Sequence, residues 1–334
     1  FKYFILGSVA AAFLIFGFAL IYGATGTMSI AGIAEAARSF TSEGAWAVGL
    51  YYKVGVGLAI VGLAFKMALV PFHIWAPDVY QGAPTPVTAY MSIGTKAAAF
   101  AAMARLLVAA VPEAYQPSFL LPLSILAFAS MMLGASAGIW QSDLKRLMAY
   151  SGIANAGYLI MAIPGRGLDG LSAAAYYLGA YGFATMGIFA VVRILEADGV
   201  DGSQIANLKG LFYRQPWVGV CLALLFFGLA GIPPAGGFVG KFLLAIAAVR
   251  GQAWIVLAGL ILSTGISAYV YLKVIGTAFT RTKEAPQPEE GAEPHAPTRT
   301  AAQVVLVIAA VGTLVMGVLP GPVSELVRVA LAGM

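Results

Sequence analysis

The chain has 334 residues, of which 60% are apolar and only 10% are charged. A soluble domain carries roughly 25% charged residues, so this composition excludes a chain that exposes its whole surface to water. The mean hydropathy of +0.89 indicates a membrane protein. Transmembrane β-strands would show strict alternation over about ten residues, and the sequence lacks that pattern. The net charge of +5 comes from scattered single residues, which does not favour nucleic-acid binding.

Apolar runs predict nine transmembrane helices, since about 20 helical residues cross a bilayer core of about 30 Å. The predicted spans are residues 1–23, 45–71, 85–110, 118–139, 144–163, 170–195, 216–249, 252–279 and 301–319. The fold class is therefore an all-α polytopic membrane protein. A small amphipathic stretch lies within 24–43, and 281–299 forms a polar, proline-rich loop. Because the chain begins inside an apolar run without Met, we expect upstream sequence and no signal peptide.

Lysine and arginine predict the orientation, because cytoplasmic ends carry more of them. One side holds nine: Lys2, Lys145, Arg146, Arg193, Lys209, Arg214, Arg281, Lys283 and Arg299. The other side holds five: Arg38, Arg105, Arg166, Arg250 and Arg328. The first set is therefore predicted to be cytoplasmic, and the C-terminus to lie on the opposite side.

Two predicted spans are interrupted by proline and glycine. In GLAGIPPAGGFVGK, Pro233, Pro234, Gly236 and Gly237 fall within an apolar run, and proline removes a backbone donor from a helix. A second interruption is predicted over 71–86, beginning at Pro71. Irregular backbone at membrane depth must be buried in protein or line a wet cavity, and paired interrupted segments are typical of transporters. Ordinary kinks and a surface loop are the alternatives.

Five lysines fall inside predicted spans. They are Lys53, Lys66, Lys96, Lys241 and Lys273. A charge inside a membrane costs at least about 2.5 kcal/mol, so it needs a partner, water or a function. Burial disfavours the charged amine, which lets a buried lysine take up and release a proton. We interpret Lys66, Lys96 and Lys241 as a proton-relay row, whereas Lys53 and Lys273 lie near span ends and favour snorkelling to an interface.

Other polar residues are fewer and each has a structural alternative. His73 can titrate near neutral pH, but it lies in a proline-rich turn. Asp143 and Lys145, with Arg146, open the span at 144, where they can form an ion pair at the membrane rim. Tyr158 belongs to a group of tyrosines that is typical of helix packing. The sequence carries no nucleotide-binding loop and no clustered metal ligands.

Several motifs resemble one family. FKMALVPFHIWAPDVYQGAPTPVTAY is similar to the subunit N family of the bacterial proton-pumping NADH–quinone oxidoreductase, complex I. IYGATGT at 21–27, GTKAAAF at 94–100, QSDLKRLMAYSGIANAGY at 141–158 and LAGIPPAGGFVGKF at 229–242 extend the resemblance. It implies inverted repeats of five helices, each with one discontinuous helix. Residues 1–117 would hold the last three helices of the first repeat, 118–280 the second repeat, and 281–334 the polar loop with a C-terminal helix.

The resemblance also implies roles for single residues. Lys66 resembles the family's lysine beside the first broken helix, Lys96 the relay lysine of the next helix, and Lys241 the lysine at the second break. The charge partner of the first lysine would be a glutamate upstream of residue 1. Asn155 stands where the family commonly has histidine, so a relay step there would pass through water or a neighbour such as Tyr158.

The resemblance implies a membrane-arm subunit of a respiratory-chain translocase, with proton translocation coupled to electron transport elsewhere. NADH, FMN, iron–sulfur clusters and quinone are expected in partner subunits, with no cofactor and no metal in this chain. The expected partners are other membrane and hydrophilic subunits of complex I and the lipid bilayer, and the expected location is the bacterial inner membrane. An Mrp-type cation/proton antiporter subunit is the alternative, and a scaffold between neighbouring pumps is a third.

Overall fold

The computed structural model describes residues 1–40, 46–163, 167–282 and 296–332. Helices dominate this part of the chain, as the composition predicts. The α-helices are α1 Lys2–Thr25, α2 Ile30–Ser39, α3 Trp46–Met67, α4 Trp75–Gly82, α5 Thr85–Arg105, α6 Gln116–Gly138, α7 Leu144–Ile160, α8 Gly167–Ala197, α9 Leu211–Arg214, α10 Pro216–Ala230, α11 Gly236–Arg250, α12 Trp254–Phe279, α13 Ala296–Val318 and α14 Pro320–Ala332. A π-helical turn, Leu106–Ala110, extends α5, and a 3₁₀ turn covers Ile205–Leu208.

Seven helices of the described residues are long and apolar enough to cross a membrane. They are α1, α3, α5 with its π-helical turn, α6, α8, α12 and α13. The prediction of an all-α polytopic fold is confirmed, whereas the count of nine is not. Of the two remaining predicted spans, 144–163 contains the 17-residue α7, and 216–249 corresponds to two helices of 15 residues, the second of which ends at Arg250. A helix of 15 residues covers only about 23 Å, less than the bilayer core.

The interruption predicted at 231–237 is present. Helix α10 ends at Ala230, Gly231 adopts the left-handed conformation with φ 80°, and α11 begins at Gly236. Pro233 and Pro234 lie between the two helices. Gly236 packs so closely that a Cβ there would lie 2.6 Å from the Met316 Cβ. The glycines are therefore required by close approach as well as by the turn.

The first interruption begins earlier than the sequence predicts. Helix α3 ends at Met67, and Ala68 has φ 59°. Proline disfavours helical backbone in the residue before it, here Val70, and the left-handed Ala68 ends the helix two residues earlier still. The segment after the break is also not a loop throughout, because Trp75–Gly82 forms the short helix α4.

Ion pairs place several members of the two predicted sets of charged residues at opposite ends of the bundle. At one end, here the Asp78 end, Lys2 and Arg146 pair with Asp78, while Arg299 pairs with Asp198. At the other, the Asp169 end, Asp169 pairs with Arg250 and Arg328. Arg166 and Lys283 lie outside the described residues. These paired residues are divided between the ends as predicted, whereas which end faces the cytoplasm stays a prediction.

The C-terminal region contains a helix that the sequence analysis did not predict. Helix α14 follows α13 at Pro320 and has 13 residues, with Leu326 and Val329 exposed. It was missed because it is shorter than a transmembrane span. Most of the predicted polar loop, residues 283–295, lies outside the described residues.

Candidate functional site

Helix α7 lies at the centre of the bundle and carries a polar stripe. It packs against α4, α5, α6, α8 and α12, and all residues from Ser151 to Ile160 are buried. Ser151, Asn155 and Tyr158 follow one another at intervals of four and three residues. Residues at these spacings share one face of a helix. A line of polar side chains therefore runs inside the protein, away from lipid.

Lys96 of α5 lies beside one end of this stripe and is only 1% exposed. Its Nζ is 5.8 Å from the ring centroid of Tyr181 and 5.9 Å from that of Tyr80. The hydroxyls of both tyrosines are buried and lack a hydrogen-bond partner in the described part of the chain. Gly152 of α7 makes room for the ammonium, because a Cβ there would collide with Lys96 Nζ. Buried polar groups that lack a partner within the protein are commonly bridged by ordered water.

Lys241 of α11 lies at the other end and is 6% exposed. Its Nζ donates to the carbonyl oxygens of Leu229, at 2.8 Å, and Ala230, at 3.3 Å. These carbonyls are freed where α10 stops, and the C-terminal end of a helix attracts positive charge. Gly231 leaves space for the Lys241 side chain, because a Cβ at position 231 would lie 3.0 Å from Lys241 Cδ. The helix break therefore supplies the partners that a buried ammonium requires.

Hydrogen bonds tie the stripe to α8 and α12 between the two lysine sites, although neither lysine itself bonds to the stripe within the described residues. Tyr177 of α8 donates its hydroxyl to Asn155 Oδ1. Asn155 Nδ2 donates to the Ser151 carbonyl at 2.7 Å and approaches Ser151 Oγ at 3.2 Å. Ser151 Oγ in turn lies 2.7 Å from the Tyr271 hydroxyl.

The stripe ends at Tyr158, beside Lys241. Tyr158 packs edge-on against Tyr177, with ring centroids 5.8 Å apart, and Lys241 Nζ lies 5.1 Å from the Tyr158 ring. The Tyr158 hydroxyl is 2.9 Å from Ser263 Oγ. Gly152, next to Lys96, and Tyr158, next to Lys241, are six residues apart, which is about 9 Å along a helix.

Lys66 and His73 lie at the first interruption and are not joined to this stripe by a hydrogen bond in the described residues. Lys66 is half-buried, and its Nζ is 5.8 Å from the ring centroid of Tyr3. His73 is half-buried with its Nδ1 enclosed and unpartnered within the described ranges. Lys273 is exposed on α12. A relay role for these residues stays a prediction.

The predicted rim ion pair among Asp143, Lys145 and Arg146 is wrong for the described residues. Asp143 instead caps α7, accepting from the Arg146 backbone N–H at 2.8 Å. Lys145 Nζ pairs with Glu196 at 3.4 Å, and Arg146 pairs with Asp78. Because the Asp143 carboxylate is engaged by the backbone at the start of α7, Lys145 and Arg146 pair with carboxylates of other helices.

Sequence reasoning missed four residues of the hydrogen-bonded network. They are Ser151, Tyr177, Ser263 and Tyr271. Tyr177 belongs to the group of tyrosines interpreted as helix packing, and its hydrogen-bond partner, Asn155, lies on another helix. A signal was nevertheless present, since Ser151, Asn155 and Tyr158 lie on one face of an otherwise apolar segment.

Comparisons with known proteins identify the family of this chain. A family model described as "NADH:quinone oxidoreductase/Mrp antiporter, TM" matches residues 1–267. NADH-quinone oxidoreductase subunit N 1 of Symbiobacterium thermophilum is 91% identical over 334 residues, which is 100% of this chain and 68% of that protein. The chain therefore spans about two thirds of the length of that relative.

Solved structures show the same fold. A chain of respiratory complex I from Thermus thermophilus, with bound aureothin, is 38% identical with a TM-score of 0.78, covering 97% of this chain and 67% of that one. A chain of the Mrp complex from Dietzia sp. DQ12-45-1b has a TM-score of 0.83 at 24% identity, covering 99% of this chain and 66% of that one. At that identity the likeness shows the fold alone.

Proposed function

Because the chain belongs to the NADH:quinone oxidoreductase/Mrp antiporter transmembrane family, we propose that it is a membrane-arm subunit of a bacterial NADH–quinone oxidoreductase. Its relative from Symbiobacterium thermophilum carries that name at 91% identity. The chain's own contribution is the movement of protons through buried lysines and water.

One observation carries this proposal: two buried lysines lie at the two ends of a single polar stripe. Lys96 is enclosed with two unpartnered tyrosine hydroxyls, and Lys241 is held by two backbone carbonyls. Neither ammonium has a carboxylate within ion-pair distance in the described residues. A buried cation without a fixed counter-charge can lose its proton at low cost, and a site that gains and loses a proton can pass it on.

The stripe between the lysines does not itself change charge. Asn155 cannot titrate, so we infer that protons pass its neighbourhood on hydroxyls and water, with Tyr177 and Ser151 holding the amide in place. Lys66, beside the first interruption, extends the row toward α1, where its Nζ lies 5.8 Å from the ring centroid of Tyr3. Residues 118–280 form the second five-helix repeat in this proposal, and 1–117 form the end of the first.

The redox chemistry belongs to other subunits in this proposal. NADH, FMN, iron–sulfur clusters and quinone are bound there, and rearrangements of charge and water transmit the energy to this chain. The subunit lies in the bacterial inner membrane beside other membrane and hydrophilic subunits, with the Asp78 end toward the cytoplasm and the C-terminus on the other side.

The test is proton translocation by the assembled complex in vesicles, expressed per NADH oxidised. Lys96→Met and Lys241→Met keep an unbranched chain of similar length but cannot carry a proton. Both are expected to lower the ratio by about tenfold or more, while Lys209→Met, at an exposed lysine, leaves it unchanged. A scaffold role predicts normal pumping by all three variants. Cation exchange without NADH, lost in the same variants, would instead support an Mrp-type antiporter.

A further inference from the structure

A groove of about 230 Å³ opens at the Asp78 end between α6, α12 and the loop before α9. Gln141, Ser142, Gln204 and Lys273 contribute polar groups to its wall. Ser142 and Lys273 are exposed. The groove is lined mainly by apolar side chains, and these few polar groups are where it can contact water.

A second, smaller cavity lies deeper in the same seam. Its volume is about 10 Å³, close to the least that holds one water molecule. Ser151, Ser267 and Tyr271 line it, and all three are buried. A water needs two to four polar partners, and three hydroxyls meet that need.

A short apolar constriction separates the two cavities. Gly138, Leu147 and Val270 line both of them. A Cβ on Gly138 would lie 3.4 Å from Leu147 Cδ1 and 3.9 Å from Val270 Cγ1. Because Gly138 has no side chain, a narrow passage remains between Leu147 and Val270. Hydrophobic constrictions of this kind gate channels by wetting and drying.

The inner cavity reaches the polar stripe of α7. Ser151 lies on its wall and contacts both Tyr271 and Asn155 through its hydroxyl. The next residue, Gly152, adjoins Lys96, and Tyr158 adjoins Lys241 one to two turns away. Water in this cavity would therefore meet the stripe between the two lysines.

We propose that the seam of α6, α7 and α12 is a water inlet that supplies protons from the Asp78 end, gated by Leu147 and Val270. The proposal rests on the proposed function for its purpose, although water entry can be tested without it. Protons arrive on water and hop between oxygens, each hop breaking one O–H bond and forming another, so Ser151 and Tyr271 end each passage unchanged.

Silver ion is the probe of entry, because it reacts with thiols and is similar in size to a water molecule. The native Cys221 is first replaced, as Cys221→Ser, and Ser267→Cys places a thiol on the inner cavity. In the assembled complex, silver added at the Asp78 end is expected to consume this thiol faster than silver added at the Asp169 end. The unreacted thiol is counted with a maleimide dye after denaturation. No loss, or equal loss from both ends, would overturn the inlet.

The constriction is tested by a matched pair of glycine substitutions. Gly138→Val fills the passage and should slow the silver reaction at least about tenfold. Gly265→Val is the control, because nothing lies within 4 Å of a Cβ at that position of α12. Leu147→Ala, which widens the passage, should speed the reaction and covers the case in which Gly138→Val does not assemble. Unchanged rates in both constriction variants would contradict the gate.

Proton supply is measured separately from entry. Gly138→Val should lower proton translocation per NADH oxidised relative to Gly265→Val. If silver entry is blocked while pumping continues at the control level, the inlet does not feed the lysines and the proposal fails. If the lysine variants pump normally but silver entry follows the pattern above, the proposed function fails while the water-filled seam remains.

Discussion

The two helix interruptions of this chain satisfy their freed backbone groups in different ways. At the first, the Trp75 indole N–H donates to the Phe65 carbonyl at 2.9 Å, and the Val70 N–H donates to Ser130 Oγ at 2.9 Å. Both partners are neutral. Lys66 lies next to this break, yet its ammonium is directed to the Tyr3 ring.

At the second interruption a cation takes the place of those neutral partners. Lys241 Nζ binds the carbonyls of Leu229 and Ala230. The left-handed residue also differs, being Gly231 here and Ala68 at the first break. Two similar proline-containing breaks therefore differ in their partners. Neutral donors and acceptors satisfy the backbone at the first break, and the Lys241 ammonium does so at the second.

The largest effect is expected from a methyl group at the second break. Gly237→Ala would drive its Cβ into the Gly228 carbonyl, and overpacking of this kind costs about 1–3 kcal/mol or more. We expect a marked loss of assembled complex and a lower thermal unfolding midpoint. Gly82→Ala, at the end of α4 with open space around the Cβ, is the control. Equal stability of the two variants would mean that the helices at the second break are not closely packed.

The next effect concerns the neutral closure of the first break. Trp75→Phe removes the indole donor, but the Phe65 carbonyl still accepts from the Ala68 N–H at 3.0 Å. The expected cost is therefore that of one hydrogen bond, about 0.5–1.5 kcal/mol. The unfolding midpoint should fall while proton translocation per assembled complex stays the same. Trp254→Phe, at a tryptophan that is 60% exposed, should change neither. A pumping defect in Trp75→Phe, at full assembly, would show that the first break does more than hold structure.

Substitutions of two neighbouring tyrosines distinguish a role in proton transfer from a role in helix packing. Tyr177→Phe removes the hydroxyl that donates to Asn155, whereas Tyr176→Phe removes one that donates to the Met316 carbonyl. Raising the activation barrier of the rate-limiting step by about 1.4 kcal/mol slows that step about tenfold. We expect Tyr177→Phe to slow pumping by up to this factor and Tyr176→Phe to affect only stability. Vesicle acidification rates measure this, and equal rates would place Tyr177 outside the relay.

The smallest effect is a pH dependence at α4, which follows the first break. Lys2, by a hydrogen bond, and Arg146 hold the pKa of the Asp78 carboxyl below its ordinary value of 3.8. A depressed pKa stabilises the fold above about pH 4, and the gain is lost as pH falls through the folded-state pKa. Because the pairs are partly exposed, the gain is below about 1 kcal/mol. Unfolding midpoints of the natural chain and Asp78→Asn should converge on acidification, and a constant difference would contradict the ion pairs.

The sequence predicted the features that local chemistry determines. Proline and glycine within an apolar run predicted the second interruption, and the cost of a charge in lipid predicted that Lys96 and Lys241 would be buried. Helix α7 was placed in a longer span because its apolar run continues beyond Ile160. The count of spans could not be settled in the same way, since two short helices in series have the composition of one long helix.

The partners within the site could not be read from local patterns. Ser151 meets Tyr271 120 residues away, and Tyr177 meets Asn155 across a helix interface. Such pairs depend on how helices pack, which no single segment determines. Asn155 was singled out by a family pattern, but its position midway between two lysine sites emerges only from the fold.

The central claim is that Lys241 works by gaining and losing a proton. Lys241→Arg tests it most directly, because arginine keeps the positive charge and donors but is effectively never deprotonated in proteins. The measurement is proton translocation per NADH oxidised in vesicles, normalised to assembled complex, with Lys209→Arg as the exposed control. The account predicts a large loss in Lys241→Arg despite the retained charge. Full pumping by this variant would show that Lys241 acts as a fixed charge and would contradict the relay.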